Sequence, residues 1–163
     1  MTINPSLSSI HLDYTVRKAT NADCNEVQQL IFSILRAYGL APQPATTDKD
    51  LFDLESNYQD GFFGIIEDGS KIVATFALSP LSNKCAEIRK MYALPEARGK
   101  GLGRWMVEYL LQIAKENNYS EVELETASSL KEALNLYQKS GFEEKVFENK
   151  TPRCDKAFFM KLN

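Results

Sequence analysis

The chain has 163 residues, 44% of them apolar and 25% charged, with a formal net charge of -3. That length fits one domain with a self-sufficient core, and the composition excludes disordered and fibrous classes. The mild acidity excludes a nucleic-acid binder that works through global charge.

The N-terminus, "MTINPSLSSIHLDYTV", lacks a basic segment followed by a long apolar one, and no run approaches eighteen apolar residues. Neither a secretory signal nor a membrane span is predicted. Residues 1–10 read as a flexible arm before a single domain. The one histidine, His11, excludes a multi-histidine metal site and reads as an ordinary strand or surface residue. Cys24, Cys85 and Cys154 show no CxxC spacing and read as reduced, structural thiols of a cytoplasmic protein. No metal is expected.

Residues 11–18, "HLDYTVRK", alternate weakly and predict a first strand. Thr20 or Asn21 can cap a helix over 22–38, in which Val27, Leu30, Ile31, Ile34 and Leu35 recur at helical spacing and Gly39 supplies the stop. "LAPQPATTDKD" is a loop by its prolines and small polar residues, and "DLFDLESNY" a short helix. Two apolar runs, 62–67 and 71–79, flank Asp68-Gly69 and predict a hairpin.

"CAEIRKMYALP" predicts a further strand of irregular pattern. Ile88 and Met91 are three apart, Met91 and Ala93 two apart. One extra residue, a β-bulge, would restore the facing of both ends; the alternative is a regular strand with Ala86, Ile88 and Lys90 on one face. From Gly101 the period becomes helical, with Leu102, Met106, Tyr109, Leu110 and Ile113 in a stripe that ends near Asn117. "SEVELETA" alternates, with Val122 and Leu124 on one face and Glu121, Glu123 and Glu125 on the other. "LKEALNLYQKSGF" is a helix with Ala133, Leu134 and Tyr137 on one side, stopped by Gly141. "FEEKVF" and "DKAFFMKL" are closing strands. The order predicts an α/β fold with a single mixed sheet, not a repeated βαβ set.

"PEARGKGLGRW" places Gly99, Gly101 and Gly103 at alternating positions where the second long helix starts. Glycines free the backbone and remove the Cβ that would block a ligand. The first helical N–H groups are unpaired and carry partial positive charge. Together they suit a phosphate, with Arg98, Lys100 and Arg104 at the rim. Neither the Walker nor the Rossmann glycine spacing is met. A solvated glycine turn with a basic rim stays open as the alternative.

The segment "AEIRKMYALPEARGKGLGRWMVEYLLQIA", followed by "LETASSLKEALNLYQKSGF", closely resembles the GNAT superfamily of acyl-CoA-dependent N-acetyltransferases. Arg98, Gly101 and Gly103 match its R/Q-x-x-G-x-G/A pyrophosphate motif. Leu136-Tyr137 and Gly141-Phe142 match its second signature. The resemblance covers roughly residues 85–145. It implies a mostly antiparallel sheet flanked by helices, with two central parallel strands, at 85–94 and 121–126, that splay apart around acetyl-CoA as co-substrate. The cofactor residues it implies are Met91, Tyr92 and Ala93 at the bulge and Arg98, Gly99, Lys100, Gly101, Leu102, Gly103 and Arg104 in the loop.

The same resemblance implies Glu87 as the base that takes the acceptor's proton, with Glu125 the second candidate, and Tyr137 as the proton donor to the departing thiolate. The plain readings are a solvated Glu87 paired with Arg89 and a Tyr137 that packs the core. Many members carry an asparagine seven residues before the tyrosine. Here Leu130 stands there, with Ser128 or Ser129 as substitutes. Arg153 and Asp155 are candidates to read charges on the acceptor, with a surface turn as the other reading. The expected function is transfer of an acetyl group to a primary amine of a small or amino-acid-like molecule by a monomer or homodimer. A protein or peptide acetyltransferase and a non-catalytic acyl-CoA sensor are the alternatives.

Overall fold

A computed structural model describes residues 14–163, so the expected arm at 1–10 and His11 lie outside the described residues. The chain forms β1 (Tyr14–Lys18), a 3-10 turn at Asn21–Asp23, α1 (Cys24–Ala37), a 3-10 turn at Lys49–Phe52, α2 (Leu54–Asn57), β2 (Phe62–Asp68), β3 (Lys71–Pro80) and β4 (Cys85–Ala93). There follow α3 (Leu102–Glu116), β5 (Glu121–Thr126), α4 (Lys131–Lys139), β6 (Glu143–Lys145) and β7 (Lys156–Lys161). The strands make one seven-stranded sheet in the order β1-β2-β3-β4-β5-β7-β6. Every neighbouring pair is antiparallel except β4 and β5, which run parallel.

Local chemistry explains most boundaries. The apolar stripe of α1 is buried throughout, as its spacing predicts, and Gly39 ends the helix at φ 71. Gly69 takes φ 62 in the turn between β2 and β3. The segment read as one short helix over 50–58 is instead two single turns. Asp53 is extended between them, and its carboxylate accepts the Ser56 N–H at 3.0 Å, restarting the helix as an N-cap. On α4 only Tyr137 of the expected stripe is fully buried, because this helix borders an open groove. β6 stops at Lys145, earlier than the sequence pattern predicts. It is an edge strand paired only with β7, and Val146 beyond it is 86% exposed.

The sheet has an apolar core on each face. On one, Trp105 and Tyr109 of α3 pack on Phe62 and Phe76 of the sheet, their rings edge-on or tilted. On the other, α1 and the 49–57 turns cover Leu35, Leu51, Leu54, Tyr58 and Phe63. Among the described residues no helix is long and apolar enough to cross a membrane.

Candidate active site

The irregular spacing of β4 is a bulge. Thr75 faces Tyr92 and Ala77 faces Arg89, so two residues of β3 oppose three of β4 across that step. Lys90 absorbs the extra length at φ 51, a left-handed conformation that a non-glycine residue rarely adopts. Two buried contacts hold it there. The Thr75 hydroxyl donates to the Lys90 carbonyl at 2.7 Å, and the Lys90 ammonium donates to Asp48 at 2.6 Å.

Beyond the bulge β4 leaves β5. Their register runs from Cys85↔Glu121 only to Ile88↔Leu124, although β4 continues to Ala93. The splay opens a cavity of about 490 Å³. Met91, Tyr92 and Ala93 line one wall, and Arg98, Gly99, Gly101, Leu102, Gly103 and Arg104 line the loop end. Gly99 and Gly101 have φ 75 and 82, and among the described residues a Cβ on either would meet nothing within 4 Å. The space in front of them is therefore open to a ligand, and Gly101 directly caps α3 with its unpaired N–H groups. This pairing of an open glycine backbone with a helix start fits a pyrophosphate. Gly103 has a different role: a Cβ there would lie 2.9 Å from Leu136 Cδ2, so its bareness lets α3 approach α4.

The rim cations are not alike. Arg98 donates through Nε to the Ala93 carbonyl at 3.0 Å and through Nη1 to the Tyr38 hydroxyl at 3.2 Å, and lies over the Tyr38 ring. Lys100 is not among the cavity-lining residues; its ammonium reaches the Tyr14 hydroxyl at 3.2 Å. Arg104 lines the cavity mouth and also pairs with Glu108 at 2.8 Å. Tyr137 lines the same cavity. Burial first, and the neighbouring Tyr92 second, raise its phenol well above the usual tyrosine value, so it remains protonated.

A second cavity of about 120 Å³ adjoins the bulge and shares Ile88, Arg89, Lys90, Tyr92 and Glu125 with the first. Glu87 lines this smaller space only. Its carboxyl is raised above the ordinary glutamate value, chiefly by burial, with the charges of Glu125 and Glu123 adding to the effect and Arg89 opposing it. The sole close ionic partner of Glu87 among the described residues is Arg89, at 3.8 Å, beyond hydrogen-bond length. Glu125 lines both cavities and is exposed.

Arg153 corrects an expectation. A surface turn was the alternative to a substrate contact, yet Arg153 is buried and donates two hydrogen bonds of 2.9 Å to Asp48. Asp48 has no exposed surface and so joins Lys90 of the bulge to Arg153 of the last loop. Burial alone would raise its carboxyl, but the hydrogen bonds from Arg153 and Lys90 hold it well below the usual carboxylate range. Asp155 binds the Ser128 hydroxyl and N–H, each at 2.7 Å. Ser128 is thereby occupied outside the large cavity, where Leu130 and Asn135 stand.

Sequence reasoning missed Asp48, Thr75 and Tyr38. Asp48 sits in an aperiodic loop whose partners are 42 and 105 residues away, and no local pattern carries such a pairing. Among the described residues, Cys85, Glu121 and Glu123 bring metal-capable atoms within 4.8 Å of one another. Glu123 is paired with Lys145 at 2.6 Å, however, and the Cys85 thiol is pushed up to about 11, by burial and then by Glu123 and Glu121, so it stays protonated.

Comparison with known proteins places this geometry. The family model described as acetyltransferase (GNAT) family matches residues 28–142. The uncharacterized N-acetyltransferase YjgM of Escherichia coli (strain K12) is 32% identical over 135 residues, covering 78% of this chain and 81% of YjgM. An acetyltransferase of the GNAT family from Staphylococcus aureus Mu50 shares the fold at TM-score 0.85 and 21% identity, over 92% of this chain and 99% of that one. YncA, a putative acetyltransferase from Salmonella typhimurium solved with its cofactor acetyl-CoA, does so at TM-score 0.73 and 17% identity, over 93% and 95%.

Proposed function

The chain belongs to the acetyltransferase (GNAT) family, and on that premise we propose that it moves the acetyl group of acetyl-CoA directly to a primary amine of a small, amino-acid-like acceptor. The observation that carries this reading is the meeting of the two cavities at the bulge. A donor groove ending in a glycine loop and a small charged cavity share Lys90 and Tyr92 at the point where β4 and β5 part. Acetyl-CoA supplies an activated acetyl carbonyl on a thiol leaving group.

The residues divide the remaining work. The open backbone of Gly99–Gly103 and the start of α3 hold the pyrophosphate, with Arg98 and Arg104 beside it. Backbone N–H groups of Met91–Ala93 donate to the carbonyl oxygen as it gains charge, a contribution of about 3 kcal/mol for one well-placed donor. Glu87 takes the proton that the amine loses as its nitrogen bonds to the carbonyl carbon. Tyr137 donates a hydrogen bond to the sulfur as the C–S bond breaks, and the departing coenzyme A thiolate takes its proton from water. No covalent relay is needed. Cys154, which lines the small cavity, is held as a thiol, mainly by burial and next by Glu125.

The small cavity supports a small acceptor over a protein. Arg153 binds the Ala41 carbonyl at 3.1 Å and Lys90 the Thr47 carbonyl at 3.1 Å, tying the 40–48 loop down beside it. The three free cysteines suit a reducing cytoplasm. The test is thiol release from acetyl-CoA against amines, amino acids, polyamines and peptides. Release with small amines, matched by N-acetylated product, is expected. Tight coenzyme A binding with no release against any acceptor would overturn the reading in favour of a sensor, and a preference for peptides would make it a protein acetyltransferase.

A further inference from the structure

We propose that the small cavity takes a free α-amino acid, with the Arg89 guanidinium binding the acceptor's carboxylate beside Glu87. This rests on the acetyl-transfer reading and names its acceptor class. Most of the cavity's cations are already committed. Three line the cavity: Arg89, Lys90 and Arg153. Lys90 and Arg153 share Asp48 through bonds of 2.6 to 2.9 Å, so their charge is met within the protein.

Arg89 is not served in that way. Its nearest acids are Asp50 and Glu87, each at 3.8 Å, and its guanidinium makes no hydrogen bond among the described residues. Asp50 in turn accepts the Tyr58 hydroxyl and faces Lys90 at 3.4 Å. A guanidinium offers a planar fork of N–H donors that a carboxylate matches with two parallel bonds. Its side chain is 31% exposed, so the guanidinium is partly buried yet open to a ligand in the cavity.

Position then selects the ligand. Glu87 and Arg89 are two residues apart on β4, before the bulge, and project from one face of the strand. Both line the same small space, one an anion and the other a cation. An α-amino acid carries an amine and a carboxylate on a single carbon, so one small molecule meets both. A polyamine brings a second cation and no carboxylate, so it leaves the Arg89 guanidinium unmatched. A peptide amine has no adjoining carboxylate. The cavity is small, about 120 Å³ beside the 490 Å³ of the donor groove, which favours a short side chain.

The test compares L-alanine and L-serine with L-alaninamide, ethylamine, ethanolamine and putrescine. Two readouts are used: thiol release from acetyl-CoA, and calorimetric titration of each compound into the protein–coenzyme A complex. The wild type should favour the amino acids by about tenfold or more in both, as expected for charge-assisted hydrogen bonds. Arg89→Gln should shrink that preference to about twofold or less, whatever it does to the overall rate, and Arg89→Lys should restore part of it, since the charge returns without the fork. Equal use of amides and amines by the wild type, or an undiminished preference in Arg89→Gln, would overturn the proposal. If no compound releases thiol yet L-alanine binds and Arg89→Gln weakens it, the amino-acid site stands and the acetyl-transfer reading fails.

Discussion

Glu87 is suited to act as a base because it is partly buried and, among the described residues, carries no hydrogen bond to hold its charged form in place. Its carboxyl is raised, first by burial and then by the facing acids Glu125 and Glu123 against the pull of Arg89. Only the ionised form can accept a proton, so kcat/KM should climb with pH along a limb lying above the ordinary glutamate value of about 4.3. Glu87→Gln should remove that limb and lower turnover by roughly 10²-fold or more. Glu125→Gln removes one repelling charge, so the limb should move to lower pH while turnover survives. The reverse pattern, loss with Glu125→Gln and a normal profile with Glu87→Gln, would make Glu125 the base. Tyr137 complements this role. Its raised phenol stays protonated at any working pH, which keeps a donor ready for the sulfur. An ordinary thiol titrates near 8.5, below the raised phenol of Tyr137, so full transfer of the phenol proton to the departing thiolate runs uphill. Tyr137 therefore acts through the hydrogen bond it donates, and Tyr137→Phe should lower kcat by roughly 10²-fold with little change in coenzyme A affinity.

The glycine loop and the bulge differ in how much of each could be read from local spacing. For the bulge, three apolar positions sufficed: Ile88, Met91 and Ala93 break period two once, and Lys90 takes the extra step at φ 51. What fixes the bulge, Thr75 and Asp48, lies on other elements and left no periodic trace. The stripes of α1 and α3 were legible for the same reason, since burial of one helix face repeats along the chain. Asp48 lies in a stretch with no period, and its carboxylate gains meaning only once Lys90 and Arg153 are brought to it. In the loop, Gly101 and Gly103 look equivalent in sequence and are not. A Cβ at 101 would meet no described protein atom within 4 Å, so the main cost of Gly101→Val to the fold is the left-handed backbone, about 1–2 kcal/mol. Gly101→Val should thus lower Tm by only a few degrees. It should also abolish the stabilisation that coenzyme A gives the wild type, because the new side chain occupies the pyrophosphate's approach. Gly103→Ala should act differently, through the Leu136 contact between α3 and α4. Thermal shift with and without coenzyme A distinguishes the two, and retained coenzyme A stabilisation in Gly101→Val would remove the loop from the donor site.

The sheet carries a core on each face, but neither core spans from the 40–48 loop to the 146–155 loop. That span is closed by charge, with Asp48 between Lys90 on β4 and Arg153 near the chain's end. A buried acid that serves two cations is weak evidence of net stabilisation against an apolar substitute, yet removing it strands both cations, at a cost of about 3–5 kcal/mol. Asp48→Asn should accordingly lower Tm by roughly 10 °C at pH 7, given about 2–4 °C per kcal/mol for a domain of this size. The pH dependence has a definite sign. The folded-state carboxyl of Asp48 is depressed below its unfolded value of about 3.9, so its contribution is complete above that pH and is lost as the pH falls toward the folded value. The gap between wild type and Asp48→Asn should therefore be constant from pH 7 to about 5 and narrow below about 4. Paired melting curves across that range decide it. A gap that persists unchanged into acid would mean that Asp48 acts through the shape of its hydrogen bonds rather than its charge, since asparagine keeps the size but not the ionised oxygens that Lys90 and Arg153 share.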